Sequence, residues 1–435
     1  MSIPASESSR IPEGLRALRH RDFRLFFTGQ AVSLVGTWMQ SVGQGWLMHR
    51  LTGSPFMLGV LSFAQFAPVL PLALWAGVIA DRTDRRRMLL WTQGLLLFQA
   101  TLLATVASTG VVRPWMLISL AVLYGVANTF DLPARQSYIV DLTGKRDLPN
   151  GIALNSAAFN GARILGPAVA GVLVASVGEA GCFWINAASF VAVIGGLLAI
   201  RTRRGAGGAR DGDAAGPAPS TATASTLREG LAYAWSTPRI RNLLVLLGVC
   251  AGLGFQYNTL LPVYARDILH SGPEAYGLLF SAFGAGSLAA ALRMTAAHDR
   301  WALRRHLLFG LIAAGLGLGG FAWARWMPAM AACAALAGFG LILYISSTNT
   351  LIQLTVDDRF RGRVMSLYTL SFVGTSPFGS LLAGGVAQRW GAPIATSLCA
   401  LILLGGALWV SVRLRAIAAR EATERPPAPE PEPTG

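Results

Sequence analysis

The sequence predicts an all-α membrane protein, with twelve transmembrane helices in two pseudo-symmetric six-helix bundles. Three observations predict it. The chain is 53% hydrophobic and only 13% charged over 435 residues, whereas a soluble domain is about a quarter charged. Its apolar runs are long enough to cross about 30 Å of hydrocarbon as helices, and short basic clusters separate them. Finally, the second half repeats landmarks of the first at a nearly constant offset.

The runs fall, in order, at about 25–48, 56–80, 88–109, 115–135, 151–177 and 181–200, then 242–266, 275–297, 306–324, 328–352, 364–388 and 392–412. The first is too long for a signal peptide and no small-residue cleavage site follows it. Around them we expect an N-terminal segment (1–24), a first bundle (25–200), a linker (201–239), a second bundle (240–415) and a disordered tail (416–435). The linker begins in Gly, Ala, Asp, Pro, Ser and Thr with almost no large apolar side chain. With the N-terminus inside, about 30 of the 36 basic residues face the cytoplasm, which is the positive-inside pattern. The linker and both termini are then cytoplasmic, in a bacterial inner membrane.

The repeat is ordered. Pro55 and Gly59 stand 218 positions before Pro273 and Gly277, and Asp81-Arg82 stands 218 before Asp299-Arg300. Later the offset is 213, where Arg146, Leu154, Gly161, Gly166, Ala170 and Gly171 match Arg359, Leu367, Gly374, Gly379, Ala383 and Gly384. Six spans per half is an even number, so the halves share one topology and are related by an axis along the membrane normal.

Three motifs stand out. Gly77, Asp81, Arg82, Arg85 and Arg86 join spans two and three on the basic side. Gly77 permits close helix approach, and Asp81 can accept hydrogen bonds from a helix start or pair with an arginine. A topogenic loop that only fixes orientation is the alternative. Span five carries Gly161, Arg163, Gly166, Pro167 and Gly171, a small-residue face with a bend. Span four ends in Phe130-Asp131-Leu132-Pro133-Ala134-Arg135-Gln136.

At these residues the chain resembles the major facilitator superfamily, and within it the subgroup holding the enterobactin exporter and macrolide efflux proteins. The resemblance covers about residues 20–415. Asp84 stands where that family's loop usually has Gly. The resemblance implies that Asp81 and Arg85 latch the outward-facing state by contacting the second half. It further implies that spans one, four, seven and ten line the cavity, and that the Gly-Pro helix marks an antiporter.

Ionisable groups inside lipid are functional candidates by default. Arg163 lies about 12 residues into span five, about 18 Å deep at 1.5 Å per residue. It can hold an anionic or phenolate substrate, lower the pKa of a proton-carrying carboxylate, or act as a strut to Asn160 or Gln40. Asp131 and Arg135 are four apart and share a helix face. Asp131 is the best-placed carboxylate for proton coupling, and an ion pair closing the cytoplasmic gate is the other reading. Gln40, Gln44, Gln256, Tyr257, Asn258, Tyr344, Asn349, Gln353 and Tyr368 are polar at mid-span depth. They line a substrate or proton path, with Trp38 and Phe255 nearby, or bond between helices.

The expected function is secondary active transport. The leading form is proton-coupled export, by antiport, of a small amphipathic molecule such as a siderophore or drug, through alternating access. An importer or lysophospholipid flippase of the same fold is the alternative, and a non-transporting sensor or scaffold is the alternative of another class. ATP drive and enzymatic chemistry are not expected. The sole lysine, Lys145, precedes Arg146, so no phosphate loop exists. Cys182, Cys250, Cys333 and Cys399 form no Cys-x-x-Cys, and the five histidines form no metal cluster. We therefore expect no metal and no cofactor, a proton gradient as energy source, lipid contacts, no nucleic-acid partner and a monomer.

Overall fold

In the computed structural model, helices and short helical turns account for the secondary structure, and no strand occurs among the described residues. The structure describes residues 13–200, 224–254, 256–294 and 300–423, and the side chain of Asp81 is not among those described. The first part of the expected linker, Phe255, Asp299 and the end of the tail fall outside it.

Local chemistry sets the breaks. α1 (Arg21–Thr52) has no proline in 32 residues and ends at Gly53, whose φ of 59° is the left-handed cap that glycine adopts most readily. Ser54 caps α2 (Pro55–Phe66) by accepting from the Met57 amide at 3.3 Å. Pro68 lacks an amide proton and precedes α3 (Val69–Arg82), so crossing two is broken near its middle. α4 (Arg85–Ser108) is crossing three. α5 (Pro114–Ala199) is three crossings in series, its arms reversing at Gly144 and Gly178, where φ is 68° and 75°.

The second half begins with α6 (Ala224–Ser236) and α7 (Pro238–Gly254). α8 (Tyr257–Val263) continues crossing seven into a π-turn, Tyr264–Ile268. α9 (Pro273–Met294), α10 (Arg300–Trp323) and α11 (Met327–Thr355) are crossings eight to ten. Crossing eleven is broken at Gly374 and Thr375 into α12 (Arg361–Val373) and α13 (Ser376–Trp390), and α14 (Ala392–Thr423) is crossing twelve.

Ten helical stretches among the described residues are long and apolar enough to span a bilayer. One of them, Arg146–Ala199, is 54 residues long and reverses at Gly178, so it crosses twice. α1 is long enough but more polar. Counting both restores the expected twelve. Two boundaries move. The linker segment 201–239 contains the helix α6, and α14 continues to Thr423, past the expected start of the tail at 416.

Both bundles carry a short helix against the loop between their fourth and fifth crossings, on the arginine-rich face. In the first half this is the 3-10 turn Glu13–Arg19, where Asp147 holds Arg16 at 2.6 Å and His20 at 2.9 Å. In the second it is α6, where Tyr233 stacks on Phe360 at 4.2 Å and Glu229 holds Arg363 at 3.0 Å. The same bracket recurs with acid and base exchanged.

Candidate functional site

The halves meet on the face opposite the basic clusters, here called the distal face. α2 packs on α13, and the middle arm of α5 packs on α9. Glycine makes both contacts close. A Cβ at Gly59 would lie 2.5 Å from the Ser380 carbonyl oxygen, and one at Gly384 would lie 2.8 Å from that of Pro55. Across the molecule, a Cβ at Gly277 would strike the Pro167 carbonyl and lie 2.9 Å from Gly171 Cα. The closure has polar fasteners. Ser54 donates to Gln388 at 2.7 Å, and His49 Nε2 sits 2.9 Å from Asp267 Oδ2. Towards the basic face the halves part: α3 and α12 pack chiefly within their own bundles.

Where the closed part ends, at mid-depth, the middle arm of α5 places Arg163 against the second half. Its guanidinium carbon lies 4.9 Å from the centre of the Phe283 ring, a cation–π contact between bundles. Ser281 donates to the Ile164 carbonyl at 2.7 Å and fixes α9 beside it. Tyr257 is fully buried, tilts on Phe283 at 4.9 Å and lies within electrostatic reach of Arg163. Its hydroxyl has no hydrogen-bond partner, which is unusual for a buried phenol. Trp38 adds a further aromatic contact between the halves, edge-on to Phe159 at 5.9 Å and to Phe280 of the other half at 5.7 Å. A fixed cation, a phenol donor and aromatic faces together suit an amphipathic molecule bearing an acceptor or negative group.

Several expected path residues are elsewhere. Gln40 is buried inside the first bundle, donating to Gln99 at 3.2 Å and accepting from Asn186 at 2.8 Å. Gln44 donates to the Leu117 carbonyl at 3.2 Å. Both are interhelical struts and do not face the second half. Gln256 donates to Gly252 at 2.6 Å and ties α7 to the start of α13 through Ser376. Tyr344 is buried, and Tyr368 donates to the Ile345 carbonyl at 3.5 Å with Asn349 in reach. Gln353 is exposed and bonds Asn349 one turn away, while Asn258 is partly buried with its carbonyl oxygen unpartnered. Of the nine polar path candidates, the structure places Tyr257 beside Arg163.

Asp131 is 1% exposed and fully engaged. It accepts from Thr92 and Gln93 at 2.8 Å each and pairs with Arg135 at 2.9 Å, all within the first half. In the loop between crossings two and three, Arg85 meets Asp141 at 2.6 Å, and Arg86 donates to the Leu197 carbonyl at 2.9 Å. Arg82 is exposed, and a Cβ at Gly77 would meet nothing within 4 Å. In this conformation the loop braces its own bundle and makes no latch through Arg85. Asp84 explains its departure from glycine: with φ −56° it needs no left-handed residue, and its side chain caps α4 by accepting from Arg87 at 2.8 Å. Of the packing set, Gly166, Pro167 and Gly171 are in close contact, but a Cβ at Gly161 would meet nothing within 4 Å, so Gly161 is not a packing position here.

The motifs of the sequence do not single out the pair His49–Asp267, although the sequence carries a signal for it. The two are 218 apart, the offset of the repeat. A groove of about 460 Å³ between α7 and α12–α13 is lined almost wholly by apolar groups such as Val245, Leu367 and Phe378, and it lacks the convergent polar groups found around Arg163.

Comparison with known proteins agrees with this architecture. The family described as "Transmembrane secretion effector" matches residues 13–434. The multidrug efflux pump Tap of Mycolicibacterium fortuitum is 27% identical over 80% of this chain and 84% of its own length. The staphyloferrin A transporter of Staphylococcus aureus is 25% identical over 85% and 90%. Macrolide efflux protein A of Streptococcus pyogenes is 22% identical over the same shares. Among solved structures, the nucleoside transporter NupG superposes with TM-score 0.70 at 13% identity, covering 91% of this chain and 98% of that one, and establishes the fold alone. With two six-helix halves, a closed distal face and a family match across nearly its whole length, the chain belongs to the transmembrane secretion effector family of the major facilitator superfamily and is a multi-pass membrane transporter, not an enzyme.

Proposed function

We propose that the chain exports a small amphipathic molecule, of the drug or siderophore class, in exchange for protons. The observation that carries this reading is the Arg163–Phe283–Tyr257 cluster, which spans the two halves at mid-depth. A substrate seated there touches both bundles, so its binding energy differs between the two rocked states, and only such a difference moves the equilibrium. An acceptor group on the substrate would take the Tyr257 hydroxyl and the Arg163 charge together. The relatives include drug efflux pumps and a siderophore transporter, which supports export. We place the protein in the bacterial inner membrane as a monomer with lipid contacts, without cofactor or nucleic acid, and with both termini cytoplasmic. The distal face is then external, and the conformation described is the inward-open one.

Inside-out vesicles test the proposal. A macrolide, a lipophilic cation and a carboxylate siderophore are supplied with an imposed pH gradient. At least one is expected to accumulate, to be lost on adding a protonophore, and to be abolished by Arg163→Ala at normal membrane abundance. Uptake that ignores protonophores removes the proton exchange. Full activity in Arg163→Ala removes the assigned site.

A further inference from the structure

His49 ends α1 and Asp267 ends crossing seven, at equivalent positions of the two repeats, and the two side chains meet across the distal face. The backbone that presents Asp267 is unusual. It is a π-turn, a rare form frequently found at functional sites. After it, His270 takes a positive φ of 50°, a conformation that non-glycine residues seldom adopt. The side chain of His49 is 1% exposed, whereas that of Asp267 is 47% exposed. The buried imidazole therefore reaches the surrounding water through an exposed carboxylate.

We propose that His49 and Asp267 form a proton-binding site in the distal gate, where protonation of His49 releases the closure. The charged groups around His49 decide the sign. Asp267 favours an imidazolium. Arg266, on the same π-turn, opposes it and donates to the His49 carbonyl at 3.3 Å. Arg50, next in the chain, is engaged by Glu179 of α5 at 2.8 Å. Glu274 and Tyr276 begin α9, packed on Gly171 and Gly45. The neutral imidazole satisfies Asp267 through its Nε2 proton. Charging it adds a proton at Nδ1, which is buried and has no hydrogen-bond partner. A buried donor without an acceptor is costly, and charging beside Arg266 adds to that cost. Opening the gate exposes His49 to water, which satisfies both nitrogens. Acid on the distal side thus favours the distal-open state. The site rests on the alternating-access reading but not on any particular substrate.

The test uses the full chain in liposomes with no substrate, its four cysteines replaced by Ala. Spin labels go on Val111→Cys and Trp326→Cys, exposed positions on the distal loops of opposite halves. Lowering the pH from 8 to 5 is expected to raise the ratio of distal-open to distal-closed distances about tenfold, the shift for one unit of pKa difference between states. His49→Gln keeps one hydrogen bond to Asp267 but cannot charge, and flattens the response. Asp267→Asn removes the compensating carboxylate and enlarges it. The inference is overturned if His49→Gln responds like the parent, if Asp267→Asn diminishes the response, or if acid closes the gate. Export is measured separately in vesicles. A chain that exports with a flat gate response defeats this inference alone, and one that gates on pH but moves no probe defeats the function proposed above.

Discussion

Gly277→Ala adds a single methyl group at a contact that belongs to one conformation. Its Cβ would strike the Pro167 carbonyl oxygen and approach Gly171 Cα to 2.9 Å and Gly171 N to 3.0 Å, all backbone atoms. No side chain can rotate away, so α9 must shift from α5. Overpacking of this kind costs about 1–3 kcal/mol. In a single-state protein the cost would appear as lost stability. Under the proposed alternating access the contact exists only while the distal face is closed, so the cost should move the open-to-closed ratio about 5- to 150-fold towards open. The Val111/Trp326 label pair reads that ratio directly. Gly161→Ala, on the facing helix, is the control, since its Cβ meets nothing within 4 Å and the distances should stay as in the parent. Gly59→Ala, at the equivalent contact on the other side, should act in the same direction. Distances in Gly277→Ala that match the parent, or a larger closed fraction, would refute the claim that this contact holds the distal face shut.

Two further predictions concern the first bundle. Asp131→Asn leaves Arg135, 13% exposed, without its carboxylate. Breaking a buried pair costs about 3–5 kcal/mol, so the melting midpoint in detergent, followed by tryptophan fluorescence, should fall by several degrees. An unchanged midpoint would show that Thr92 and Gln93 suffice. At the basic face, the hydrogen bond from His20, and after it the bond and charge of Arg16, hold the Asp147 carboxyl below the ordinary aspartate range. A carboxyl lowered in the folded state stabilises it above the unfolded value, and that contribution is lost as pH falls through the lowered value. Hydrogen exchange in Glu13–Arg19 should therefore accelerate below about pH 4, and protection that stays flat down to pH 3 would contradict the bracket.

The spans and the duplication were legible because they are properties of composition and order. Twenty apolar residues read as a crossing whatever they pack against. The breaks inside crossings were less so. Proline supplies a covalent reason in both broken crossings, Pro68 in crossing two and Pro377 in crossing eleven, but Pro133 and Pro167 lie inside continuous helix, so a proline alone does not say where a crossing breaks. The polar residues were the hardest. Gln40 and Gln44 look like cavity residues by depth, yet depth is only one of two coordinates. Their direction around α1 sends them into the first bundle towards Gln99, Asn186 and Leu117, whereas Trp38, two positions earlier, faces Phe280 of the second. One sequence shows the rise along a helix but not which neighbour each face meets. Arg163 was found because a lone charge in lipid is conspicuous in any orientation.

The repeat explains more than the helix count. Gly59 pairs with Gly384, and Gly277 with Gly171. By the offsets of 218 and 213, these are two copies of one contact. The distal gate is thus the same packing motif written twice, on either side of the axis. Residues close to that axis obey a different rule, because a position there meets its own equivalent. Were both such residues the same ionisable type, they would repel when charged, and the closed face would lose stability wherever they titrate. His49 and Asp267 occupy such a position and are chemically opposite. The symmetric part of the gate can therefore close by shape alone, and at the axis the halves differ in a titratable pair, where solvent chemistry can bias it. By this reasoning, exchanging the pair as His49→Asp with Asp267→His should preserve the hydrogen bond across the axis but place the histidine on the exposed π-turn. The exchanged histidine gains an escape to water in the closed state, so acid should no longer open the distal face. Persistence of the acid response in the exchanged chain would show that the control lies elsewhere.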